Sequence, residues 1–212
     1  MSNDWLERPL GHFLSELASG TATPGGGSVA ALTGAQAAAL VTMVCDLTIG
    51  KKAYAAFEDE ARALREQAEA RRAELQEYIQ ADIAAFDQIM AAYKLPKGSE
   101  AELAARKAAV QQATRVATEV PLAIAQAARA VLPLCVPLAR HGSRTAVSDV
   151  GAAALAVRAA VPTALLNVEI NLGSLEDAEF AAQARAQAAE LMAGLDEAAE
   201  QVVASVRERI IG

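Results

Sequence analysis

Aromatic side chains are scarce: they make up 4% of a 212-residue chain in which 53% of the residues are hydrophobic. The core must therefore be built from Ala, Leu, Val and Ile, whose modest volumes let packed elements approach closely. Cys45 and Cys135 are the only cysteines, lack a CxxC spacing and lie in apolar stretches. That argues against a disulfide framework and predicts reduced, buried thiols in a cytoplasmic protein. His12 and His141 are the only histidines and share no metal-ligand spacing, and neither an HExxH motif nor a Cys/His cluster is present. Metal catalysis is not expected. No Ser/His/Asp or Cys/His nucleophile system has a signature either. Basic residues are outnumbered, 19 Lys and Arg against 26 Asp and Glu, for a net charge of −7. No Lys/Arg cluster could track a phosphate backbone, so nucleic acid is not an expected partner. The opening Met1-Ser2-Asn3-Asp4-Trp5 lacks the basic start and apolar run of a signal peptide. No Pro/Gly/Ser-rich linker divides the chain, which predicts a single domain over residues 1–212.

What the chain does have is alanine, the strongest helix former, with few β-branched runs. The pattern predicts an all-α bundle of long antiparallel helices and no strands. A short amphipathic helix is expected over 10–18, followed by the breaker cluster of residues 19–27 and a central helix from Ser28. Residues 29–44 carry no charge. Thr33, Gln36 and Thr42 interrupt that stretch and Asp46 ends it before a full bilayer span, so it reads as a core helix shared in a homodimer rather than a membrane segment. A very long helix is expected over 53–93, with Glu58/Arg62 and Glu69/Arg72 pairs on its outer face. Leu95-Pro96-Lys97-Gly98 ends it, and Ser99 with Glu102 forms a capping-box pattern. Pro121 and Pro133 are expected to kink or divide the next stretch, Ser148-Asp149 to cap an Ala-rich helix, and Pro162 to interrupt that helix. A single long helix is expected over 176–211.

Thr23-Pro24-Gly25-Gly26-Gly27-Ser28 is the most unusual local pattern. Three consecutive glycines before a helix cost conformational entropy unless the backbone bends sharply or meets something closely. One reading is a ligand site, where free N–H groups at a helix start meet an anionic or carbonyl-bearing group; the other is a tight turn capped by Ser28. Asp82 shares an arc of its helix with Tyr78, Ile79, Phe86 and Ile89, so a carboxylate is set into an apolar stripe. Desolvation there raises its pKa toward the range of a general acid/base; the plain alternative is an Asp bonded to another helix. Asn167 and Asn171 share one helix face and present two amides in fixed geometry, for reading a heteroaromatic edge or for bonding between helices. Lys51 and Lys52 follow the central helix, where they could hold a carboxylate tail or simply favour the helix dipole.

The order Phe13-Leu14, Thr23-Pro24-Gly25-Gly26-Gly27-Ser28-Val29-Ala30-Ala31 and Met43-Val44-Cys45-Asp46-Leu47-Thr48-Ile49-Gly50-Lys51-Lys52-Ala53-Tyr54 resembles the cyclodeaminase/cyclohydrolase family of folate enzymes. So do Asp82-Ile83-Ala84-Ala85-Phe86, Lys94-Leu95-Pro96-Lys97, Val120-Pro121-Leu122, Ser148-Asp149 and Asn167-Val168-Glu169-Ile170-Asn171-Leu172. The resemblance covers nearly the whole chain. It implies an all-helical homodimer holding folate in a cleft, with no metal or redox cofactor. It implies that the catalytic carboxylate falls on Asp82 and that the Gly-rich loop (Pro24, Gly25, Gly26, Gly27, Ser28), Lys51, Asp149, Asn167 and Asn171 line the cleft, where Lys51 or Lys52 is expected to meet the glutamate tail. Two activities are implied: hydrolysis of 5,10-methenyltetrahydrofolate to 10-formyltetrahydrofolate, and closure of 5-formimidoyltetrahydrofolate to the methenyl compound with loss of ammonia. The Cys45–Lys52 stretch is more similar to the stand-alone cyclohydrolases, in which Asn commonly stands where this chain has Asp46. A non-catalytic helical dimer that binds folate or a partner protein is the rival of another class.

Overall fold

The computed structural model describes residues 5–211; Met1-Ser2-Asn3-Asp4 and Gly212 lie outside them. Among the described residues eight α-helices follow one another: α1 (Leu10–Leu17), α2 (Gly26–Thr48), α3 (Glu58–Tyr93), α4 (Glu100–Arg129), α5 (Leu132–His141), α6 (Val147–Leu172), α7 (Ala178–Met192) and α8 (Leu195–Ile211). No strand occurs among the described residues. Helix α2 packs against α3, α4 and α6, and α6 packs in turn on α4, α5 and α8. These two apolar helices form the centre of the bundle.

Close packing follows from the small side chains. Ala30, Ala31, Ala37 and Ala38 of α2 have no solvent-exposed surface. At Gly34 even one added carbon would stand 3.1 Å from both the Ala128 Cβ of α4 and the Leu75 Cδ2 of α3, so α2 meets both neighbours nearly backbone to side chain. Both cysteines are free and buried, and burial pushes each thiol up to about 12. Three helical stretches, Gly26–Thr48, Glu100–His141 and Arg144–Leu172, are long and apolar enough to cross a bilayer by length and composition. Each buries half or more of its most apolar window within the bundle.

The helix ends have identifiable causes, and several differ from the sequence reading. Ser99 and Glu102 form the expected capping box on α4, and Arg62 and Arg72 pair with Glu58 and Glu69. Helix α2 starts at Gly26, before the expected Ser28. Helix α3 starts at Glu58 because Lys52–Phe57 is a 3-10 turn with Tyr54 off helical geometry. The Tyr54 hydroxyl there accepts the Arg144 N–H, and the Phe57 ring lies against His141. Pro121 and Pro162 stay inside unbroken α4 and α6. Pro133 sits in the first turn of α5, where a missing N–H costs nothing. Ser148 and Asp149 lie within the first turn of α6 and do not cap it. The segment 176–211 is two helices, not one: Gly194 takes φ 63° and turns the chain between α7 and α8.

Gly34→Val should fold but lose about 1–3 kcal/mol of stability, because two methyls must enter a contact already closed on both sides. Chemical denaturation checks this; an unchanged midpoint would show that the helices can separate at no cost.

Candidate active site

The amino end of α2 has no cap of its own. Its N-cap is Gly25, which offers no side chain, and its first turn holds no acidic residue. An uncapped helix start leaves N–H groups without acceptors and a partial positive charge without a counterpart. Asp82, reaching over from α3, supplies both. The Ser28 hydroxyl donates to Asp82 Oδ2 at 2.7 Å. Ser28 is the third residue of α2, the position whose groups an N-cap normally satisfies. Burial pushes the Asp82 carboxyl above its ordinary value, and the Ser28 hydroxyl and then the Ser28 backbone N–H pull it back part of the way. The net direction is upward.

The glycine run permits this approach. A Cβ on Gly27 would overlap the Asp82 carboxylate, and one on Gly26 would press on the Asn167 amide at 3.3 Å. Gly25, Gly26 and Gly27 form one rim of a cavity of about 420 Å³ that also contains Asp82, Asn167 and Asn171. Phe86, Ile89 and Met90, on the turns of α3 that follow Asp82, give it an apolar wall, and Thr114 and Ala117 of α4 close the opposite side. Asp82 is the one carboxylate in the lining, which includes no Lys, Arg or His. Both amides are anchored through nitrogen: Asn167 Nδ2 donates to Thr163 O at 2.9 Å and Asn171 Nδ2 to Ala117 O at 2.6 Å. Their carbonyl oxygens are left to meet a ligand. A part-buried carboxylate facing an apolar slot with oriented amides suits a flat, polar-edged substrate carrying delocalised positive charge.

Pro24 and Ser28 are buried beside the cavity and outside its lining; Ser28 serves the carboxylate rather than the open space. Lys51, Lys52 and Asp149 are not in this cleft. The lysines follow the far end of α2, roughly 30 Å from the Gly-rich rim at the rise of an α-helix, and Asp149 is roughly 27 Å along α6 from Asn167. The α4 wall and Tyr93, which also lines the cavity, carry no signal of their own in the sequence. Among the described residues no three His, Cys, Asp or Glu side chains gather as a metal site.

Gly27→Ala should leave the protein folded, because the obstructing atoms are the end of a side chain and not backbone, but it should expel the carboxylate from the α2 terminus. A crystal structure of the variant checks this; an intact Ser28–Asp82 bond would contradict it.

Residues 9–190 match the formiminotransferase-cyclodeaminase family. A methenyltetrahydrofolate cyclohydrolase of Methylorubrum extorquens is 41% identical over 198 residues, 93% of this chain and 95% of that protein. The formimidoyltransferase-cyclodeaminase of Sus scrofa is 38% identical over 187 residues, covering 88% of this chain but 35% of its own length, so the chain spans about a third of that relative. The crystal structure of formiminotetrahydrofolate cyclodeaminase from Thermotoga maritima superposes with a TM-score of 0.85 at 29% identity, over 97% of this chain and 98% of that one. A shared fold, a family match over most of the sequence and full-length similarity to a stand-alone relative agree: the chain belongs to the formiminotransferase-cyclodeaminase family.

Proposed function

We propose that this protein hydrolyses 5,10-methenyltetrahydrofolate to 10-formyltetrahydrofolate, with Asp82 as the proton-transfer group. The observation that carries the reading is the single carboxylate, desolvated and held at a helix terminus, facing an apolar cavity. The methenyl bridge is an amidinium cation, so a carboxylate in weakly polarisable surroundings both attracts it and is placed to activate water. Asp82 takes a proton from water as the water oxygen bonds to the methenyl carbon and the π electrons withdraw to nitrogen. The neutral carbinolamine receives that proton on N5. The C–N5 bond breaks with its electrons going to N5, and the hydroxyl becomes the formyl carbonyl as its own proton passes through Asp82 to solvent. One proton is released overall, and no step calls on a metal or redox cofactor. Asn167 and Asn171 orient the pterin edge.

The cyclodeaminase reaction uses the same cleft with N10 as the nucleophile and ammonia as the leaving group, and the name of the Thermotoga maritima neighbour favours it as the second reading. The similarity to a stand-alone cyclohydrolase over 95% of that protein's length favours hydrolysis for this chain. Following the methenyl absorbance with each folate separates the two. Folate binding without turnover of either compound would identify a binding protein instead.

The working form in this proposal is a soluble cytoplasmic homodimer. Met43 and Leu47 of α2 and Leu155, Leu166 and Ile170 of α6 are exposed on helices that pack side by side, and Ile170 also lines the cleft. Two copies joined antiparallel across this surface bring the Lys51 end of one to the Asn167 end of the other. The ammonium groups of Lys51 and Lys52 then reach the glutamate tail of the substrate, and Asp149 approaches the cleft mouth.

Asp82→Asn should retain folate binding and lower kcat/KM by roughly 10²–10⁴-fold, the usual contribution of a general acid/base. In the wild type kcat/KM should fall as pH drops through the raised Asp82 pKa, because only the ionised carboxylate accepts the proton. Full turnover by the variant removes Asp82 from catalysis. Leu155→Glu with Leu166→Glu should give a folded monomer in sedimentation; a persisting dimer places the interface elsewhere.

A further inference from the structure

Three prolines sit beyond the first turn of their helices: Pro121 in α4, Pro137 in α5 and Pro162 in α6. Each lacks an N–H, so the carbonyl four residues earlier loses its intrahelical donor. Those carbonyls belong to Ala117, Pro133 and Arg158. Among the described residues only that of Ala117 receives a side-chain donor, the Asn171 amide at 2.6 Å. Ala117 and Asn171 both line the cleft, whereas Pro133 and Arg158 do not.

We infer that Pro121 is a positioning residue for Asn171. By withholding an N–H from Ala117 O, the proline reserves that acceptor for an amide arriving from α6. Because the Asn171 nitrogen is committed there, its carbonyl oxygen is directed away from α4 and toward the cavity. Asn167 differs: its nitrogen bonds Thr163 O one turn back in its own helix, with no help from another element. The orientation of Asn171 is thus set from the neighbouring helix by a residue that does not line the cleft. The inference rests on the folate reading only for what the amide recognises; the positioning itself is a property of the free protein.

Pro121→Ala restores an N–H aimed at Ala117 O and removes the ring beside it. The variant should fold at least as stably as the wild type, since alanine suits a helix interior better than proline. Side-chain amide resonances in ¹⁵N NMR, with the Asn171 pair identified by its absence in Asn171→Ala, provide the direct measurement. The hydrogen-bonded proton of that pair should lose its downfield shift and its slow exchange in Pro121→Ala. In the methenyl hydrolysis assay KM should rise about three- to tenfold, the scale of weakening one hydrogen bond, with kcat and its pH profile little moved. In an Asn171→Ala background the same proline substitution should leave KM unchanged. Unaltered Asn171 resonances, or an equal KM effect in both backgrounds, overturns the inference and returns Pro121 to a packing role. Altered resonances in a protein that turns over neither folate uphold the positioning and overturn the folate reading instead.

Discussion

The bond from the Ser28 hydroxyl to the Asp82 carboxylate joins the amino end of the central helix to the C-terminal third of α3. Two electrostatic problems are solved together. A helix start that lacks its own cap gains an acceptor, and an acid placed among apolar side chains gains donors. Burial is the larger influence on the acid, so the carboxyl remains harder to ionise than an ordinary Asp while staying fixed in place. A proton-transfer group needs that combination, since it must both take and return a proton from one position. The absence of a Cβ at Gly27 is what permits the approach, and it explains why the loop tolerates residues that cost entropy on folding.

The same economy runs through the rest of the cleft. Small residues let α2, α3, α4 and α6 pack tightly enough that one cavity touches all four, α2 only at its first turn. Three of the polar groups within that cavity are anchored: the carboxylate by Ser28, one amide by its own helix and the other by a carbonyl that a proline has left unpaired. Groups held this way lose little freedom when a ligand binds, which is how a small number of contacts can orient a substrate.

Local chemistry was legible in the sequence where it is periodic or compositional. The placement of Asp82 in an apolar stripe, the Asn167/Asn171 pair and the Ser99/Glu102 capping box all depend on helix spacing, and the structure shows each pattern on a helix. The partner of Asp82 was not legible, because Ser28 lies 54 residues away in sequence. Neither was the contribution of α4, whose cleft face is Thr114 and Ala117 and has no chemical signature. Neither the position of Lys51 and Lys52 after the central helix nor the resemblance that points to Asp149 carries a distance; one helix length separates all three from the cleft within a protomer. The division of the last segment at Gly194 turned on a single φ angle that an amphipathic pattern continuing on both sides concealed.

The most direct test of the central claim is a ¹³C NMR titration of the Asp82 side-chain carboxyl set beside the acid limb of kcat/KM, in the wild type and in Ser28→Ala. Both midpoints should coincide above the ordinary range of an aspartic acid. Removing the hydroxyl, which favours the ionised form, should move both to higher pH together. A carboxyl that titrates as an exposed Asp, or a kinetic limb that stays put while the carboxyl shifts, would contradict the account.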